Sequence, residues 1–206
     1  GIVSGNGRIE ATEINIATRI PGELQELYVQ EGEFVEPGQR LASIKTASLE
    51  AQLREVQAQK RQAENAVANA NAMVAMRESE KVAAEALVEQ RRTELVAARN
   101  RLSRTEVLAK EGAASRQQLD DERADVKRVQ AVLSASRAQV NSAESAILAA
   151  QSQALSAQSQ VEAIEATIER VNVDIDDAVL VSPLKARVQF RVAEQGEMVA
   201  AGGRVM

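Results

Sequence analysis

The side chains able to do covalent or metal chemistry in this sequence are few, and no spacing gathers them into a site. Histidine and cysteine are absent. That removes imidazole bases, thiolate nucleophiles, disulfides, zinc held by nitrogen or sulfur, and every Ser-His-Asp arrangement. Carboxylate and amine chemistry remain. The densest carboxylates are Asp174, Asp176 and Asp177. A calcium loop needs six or more oxygens with a glycine turn or a closing glutamate, and neither follows, so the cluster reads as a solvated helix exit. The inventory predicts no enzyme, no metal and no cofactor. With 25 basic against 30 acidic residues and a net charge of −5, no basic stripe exists, so no nucleic acid is expected.

The elements that carry these residues are written in the composition. Of 206 residues, 45% are hydrophobic but only 1% aromatic: Tyr28, Phe34 and Phe190. Apolar content is mostly Ala and Val, and charged residues reach 27%. This suits long helices with thin seams better than one thick core. No stretch reaches the roughly 18 unbroken apolar residues of a membrane span. From Ser48 to Val171 there is no Pro, and Gly112 is the only Gly. Three zones follow: 1–46 rich in Gly, Pro and β-branched residues, 47–172 helical, and 173–206 again β.

Steps of four and three from Leu49 pass Leu53, Val56, Lys60 and so on to Ala109 without a skip. A second track runs from Leu119 through Glu122, Val126, Val129 and Leu133 to Val171. A heptad held that long predicts a left-handed coiled coil, its first arm from Leu49 to Ala109 about 90 Å long. Between the tracks, Lys110 and Gly112 suit a helix end, and Ser115-Arg116-Gln117-Gln118 suits a capping box, so the chain is expected to reverse at a tip near 110–115. Polar residues on the first seam (Lys60, Arg77, Lys81, Arg91) weaken the pairing and can set its register or face a neighbouring subunit.

The outer zones repeat each other. Gly22, Leu24, Gly32, Val35, Gly38 and Leu41 align with Ala186, Val188, Gly196, Val199, Gly202 and Val205 at a constant offset of 164. Gly22, Gly32, Gly38, Gly196 and Gly202 are expected at turns between short strands. Ile14, Ile16, Thr18 and Ile20 suggest a further alternating strand. Two such halves, neither able to bury its apolar face alone, predict one small β-sandwich with the helical hairpin inserted between them, an α+β fold.

The half-repeat resembles the biotinyl/lipoyl carrier fold. In carriers, a lysine at the tip of the hairpin joining the halves is modified; Lys45 stands near that position, but the coiled coil occupies the turn, and Lys45 reads as a solvated strand-end amine. A lipoyl-like domain split by a coiled-coil hairpin resembles the membrane fusion proteins, periplasmic adaptors of the HlyD family. Ile20-Pro21-Gly22, the run from Val29 to Leu41, Leu49-Glu50-Ala51-Gln52-Leu53, Val181-Ser182-Pro183 and Gly196-Glu197-Met198-Val199 carry the likeness. Ala186 in place of a usual Gly, and Lys45 where Asp is common, depart from it. Adaptors that meet TolC-like channels have Arg, Leu four residues on, and Ser seven further; Arg104, Leu108 and Ser115 match. The resemblance implies that these three dock on the outer-membrane channel. It also implies a hexameric ring and an inner-membrane transporter as partner, ABC-type on the length of the arms. It implies periplasmic placement anchored to the inner membrane, with a membrane anchor before this segment and a β-barrel after it. Two other readings are a biotin or lipoate carrier domain and a plain coiled-coil spacer.

Overall fold

The computed structural model describes residues 16–188 and 194–199. In chain order the elements are β1 (Gly22–Leu27), β2 (Phe34–Val35), β3 (Arg40–Ile44), α1 (Ala47–Lys110), α2 (Arg116–Asp177), β4 (Val179–Val181), β5 (Ala186–Arg187) and β6 (Met198–Val199). They fall into two compact units, one formed by the chain ends up to Lys60 and from Ala163, the other by Arg61–Glu162.

In the first unit the strands form a four-stranded sheet, β4-β3-β1-β6, and a two-stranded sheet, β2-β5. Three antiparallel pairings, β1 with β6, β2 with β5 and β3 with β4, each join the first half of the chain to the second. The repeat read at offset 164 is visible in the bonding. The Gly32 N–H donates to Val188 O and the Gly196 N–H to Leu24 O, both at 2.7 Å. The Leu24 N–H donates to Glu197 O at 2.8 Å, and the Val188 N–H to Glu33 O at 2.9 Å. Gly32 and Gly196 take the same left-handed conformation, φ 86° and 87°. Each turn is closed by a carboxylate, Glu33 on Gln30 N–H and Glu197 on Glu194 N–H. The two halves are thus related by a local pseudo-two-fold, and each completes the other's hydrogen bonding. Leu24, Val29, Val35, Leu41, Ile44, Leu180, Val188 and Val199 fill the shared core.

Two expectations need correction. Gly22 opens β1 opposite Val199 and is not a turn residue. Its need for glycine is close approach: a Cβ there would lie 2.5 Å from Ile44 Cγ2. The alternation at Ile16, Thr18 and Ile20 survives as burial, with Ala17 and Arg19 exposed between them, but β1 begins only at Gly22. The Thr18 hydroxyl donates to Ile20 O and accepts from its N–H, and Pro21 has no N–H to extend a ladder. Gly202 and Ile14 lie outside the described residues. Gly22→Ala is expected to lower stability by about 1–3 kcal/mol, because Ile44 is 1% exposed and has no room to yield. Chemical denaturation with an unmoved midpoint would show that the sheet opens there after all.

The helices need no tertiary excuse: Ala, Glu, Gln, Arg and Leu dominate, and no proline interrupts them. Every residue on both heptad tracks is buried or half-buried. In the unit Arg61–Glu162, Val88, Leu95 and Ala98 of α1 close on Val129 and Leu133 of α2. The polar seam residues split in behaviour. Lys60 reaches across to Glu165 (3.5 Å) and Lys81 to Glu144 (3.4 Å). Arg77 and Arg91 instead turn along their own helix, to Glu80 at 3.0 Å and Glu94 at 3.1 Å. For Arg91 this leaves Nε buried without a partner, a cost that the two bonds from its Nη1 to Glu94 partly offset. α2 runs past Asn172 to Asp177, where Asp177 pairs with Arg19 at 3.5 Å. No helix among the described residues is long and apolar enough to cross a membrane.

Candidate functional site

The reversal between α1 and α2 is built by two local caps. At the end of α1, the Ala113 N–H donates to Leu108 O (2.8 Å) and the Gly112 N–H to Ala109 O (3.2 Å). Gly112 has φ 76°. This is a Schellman ending, in which a left-handed glycine lets two N–H groups fold back on carbonyls the helix leaves open. Lys110 adds a cation to the last turn, where the helix dipole favours it. α2 opens on Ser115, whose Oγ accepts from the Gln118 N–H at 3.1 Å. Ser115→Ala should therefore cost about 1 kcal/mol, read as fraying of the first turn of α2 by hydrogen exchange. Unchanged protection at 116–119 would show that the cap contributes nothing.

Just below the caps, two ties join the arms. Thr105, 4% exposed, donates its hydroxyl to the Glu122 carboxylate. Arg101 Nη2 meets Asp125 Oδ2 at 3.5 Å, while Arg128 donates to Asp125 Oδ1 through Nη2 at 2.8 Å and Nε at 3.2 Å. The hydrogen bond from Arg128 holds the Asp125 carboxyl below the usual carboxylate range. Partial desolvation works against this, and Arg101 adds to the lowering. The sign gives a pH dependence: stabilisation by Asp125 is present above the ordinary carboxylate pKa and is lost as acid titrates the folded form.

These caps and ties hold out a small surface. Arg104 is exposed, Val107 is 55% exposed and Leu108 is 42% exposed. Arg104 and Leu108 stand four residues apart, so they share one face of α1. Unlike Arg101, Arg104 has no ion-pair partner among the described residues. An unpaired guanidinium offers five donors to carbonyls or carboxylates, and the adjacent Leu and Val offer a dry contact. Ser115 lies in the same reversal, with its oxygen engaged by the cap. Val107 and the ties Thr105–Glu122 and Arg101–Asp125 are additions that the sequence did not announce. The spacing of Asp125 and Arg128 was a signal for one of them; the partner across the hairpin was not. Lys45 follows β3 directly, exposed, with Nζ 4.0 Å from Glu23. The described residues hold no group of three acidic side chains placed to bind a metal.

Residues 80–149, which contain this reversal and about half of each arm, match the family described as the alpha-helical hairpin domain of RND membrane fusion proteins. Over those residues the hairpin is similar to that of membrane fusion proteins. Among solved structures, the periplasmic adaptor protein EmrA is similar over 95% of this chain and 71% of its own, with 16% identity and a TM-score of 0.50. That likeness shows the fold: two long helices inserted in a β-domain built from both chain ends. The soluble domain of LipC, described as a membrane fusion protein of a type I secretion system, is similar over 94% of this chain and 98% of its own, with 11% identity and a TM-score of 0.49. MacA from Actinobacillus actinomycetemcomitans is similar over 95% of this chain and 49% of its own, with 15% identity and a TM-score of 0.41. This chain therefore spans about half the length of MacA and less than three quarters of EmrA. No curated protein matches the sequence.

Proposed function

We propose that this chain is a membrane fusion protein, a periplasmic adaptor of the HlyD family, joining an inner-membrane exporter to a TolC-like outer-membrane channel for efflux or secretion. The reading rests on the hairpin reversal, where Arg104, Leu108 and Ser115 occupy the spacing of channel-docking adaptors. Arg104 offers donors to carbonyls or carboxylates at the channel mouth, Leu108 and Val107 fill a groove, and Ser115 shapes the turn. The work is positional and not enzymatic: copies of the chain, six in the working ring, place their tips on the channel. An ABC-type exporter is favoured by arm length. α1 and α2 have 64 and 62 residues, well beyond the segment that matches the RND hairpin family. Periplasmic placement and an inner-membrane anchor belong to the same reading.

A photo-cross-linking residue at Val107 tests it in cells. It should capture the outer-membrane channel, identified by mass spectrometry, while the same probe at Val82 should not. Capture of the channel from neither position, with export intact, would sink the docking role. The carrier reading predicts an adduct on Lys45 by intact mass. The adaptor reading predicts none, and Lys45→Ala should leave stability within about 0.5 kcal/mol and export unchanged.

A further inference from the structure

One band of the hairpin has a surface unlike the rest. Residues 65–76 of α1 and 145–161 of α2 contain no charged side chain, although charges crowd both arms on the side toward the reversal. The Lys81–Glu144 and Arg101–Asp125 bridges set the register of the arms. Under that register Met73 lies level with Ser152 and Met76 with Ala149, so the two uncharged stretches stand abreast. Within the band four large apolar side chains are exposed: Met73 (44%), Met76 (45%), Leu148 (65%) and Leu155 (69%). Single exposed apolar residues are ordinary, but a charge-free band on both arms is not.

Heptad geometry sorts the four onto opposite faces. Met73 repeats, four heptads earlier, the position of Arg101, so it and Met76 share the face of the Arg101–Asp125 bridge. Leu148 and Leu155 each follow a seam residue by one position, which puts them on the face marked by Glu144. On each arm the face opposite the large residues carries small exposed ones: Ala68 and Ala75 on α1, Ala149 and Ser156 on α2. Large faces small at one level, on both arms.

We propose that this band is where one copy of the chain stacks on the next, face to unlike face. Met73 and Met76 of one copy cover Ala68 and Ala75 of its neighbour, and the neighbour's Leu148 and Leu155 cover Ala149 and Ser156 of the first. A foreign partner would need one face. Two unlike, complementary faces at the same level are what a repeated head-to-tail contact between identical copies requires. Identical copies packed level also bring like charges together, which costs free energy, so the contact belongs where charge is absent. The inference rests on the self-association in the proposed function and adds its surface.

The test uses Met76→Glu and Leu155→Glu, made separately, with assembly followed by analytical ultracentrifugation and helix content by circular dichroism. The unaltered protein should assemble beyond a dimer. Each variant should keep its helix and need at least tenfold higher concentration to assemble. Mixed together they should form a two-copy species and nothing larger, since each retains the face the other lacks; Met76→Leu should assemble normally. Variants that assemble like the parent, or a mixture that stays monomeric, would overturn this surface while leaving self-association standing. A parent protein that never assembles would overturn self-association itself.

Discussion

Arg104→Asp combined with Leu108→Ser is expected to abolish cross-linking to the outer-membrane channel and export in cells, while helix content and assembly stay as in the parent. The physical basis is separation of roles at the reversal. Neither side chain holds the turn together: the Schellman bonds use the Leu108 carbonyl and not its side chain, and the N-cap belongs to Ser115. The ties below use Thr105, Glu122, Arg101 and Asp125. Arg104 and Leu108 are exposed and are therefore available to a partner. Reversing the charge offered to an acceptor-rich surface costs several kcal/mol in an interface, and removing an apolar anchor from the centre of a small contact adds to that. Each 1.4 kcal/mol is about tenfold in affinity, so the pair of changes should cost a hundredfold or more. Undiminished cross-linking would make the reversal only a turn and move the plain-spacer reading to the front.

Leu133→Asp should have the largest effect on stability. Leu133 is 4% exposed and packs among Val88, Leu95, Ala98 and Val129 in the seam. Deleting a buried leucine side chain already costs about 2–5 kcal/mol. A carboxylate introduced among those apolar side chains must pair, protonate or draw in water. Thermal unfolding followed by circular dichroism should show the hairpin melting far below the parent. Val82→Asp, at a position 66% exposed on the same coiled coil, should move the midpoint little. If the two variants melt alike, the seam does not run through Leu133.

Much of this molecule is legible in its sequence, and the legible parts share a cause. A heptad is a local periodicity, so both tracks could be followed residue by residue, and burial of every position along them is its direct consequence. The caps are equally local: Gly112 and Ser115 act within five residues of themselves. The offset of 164 was readable because both halves need the same turn. The equal φ of Gly32 and Gly196 and their reciprocal bonds to Val188 and Leu24 are that need met twice.

What only the tertiary structure decided were relations between distant residues. A heptad says which face of a helix is buried, but sliding one antiparallel arm by a heptad satisfies the pattern as well. Long-range ties select the register: Lys60 to Glu165, Lys81 to Glu144, Thr105 to Glu122 and Arg101 to Asp125. The sequence alone determined that this is a two-armed coiled coil set between two halves of a β-domain, with Arg104, Leu108 and Ser115 at its reversal. Gly22 shows the complementary limit. Its glycine is demanded by Ile44, at the far end of a strand pairing, and proximity across a sheet leaves no mark in the local pattern of residues.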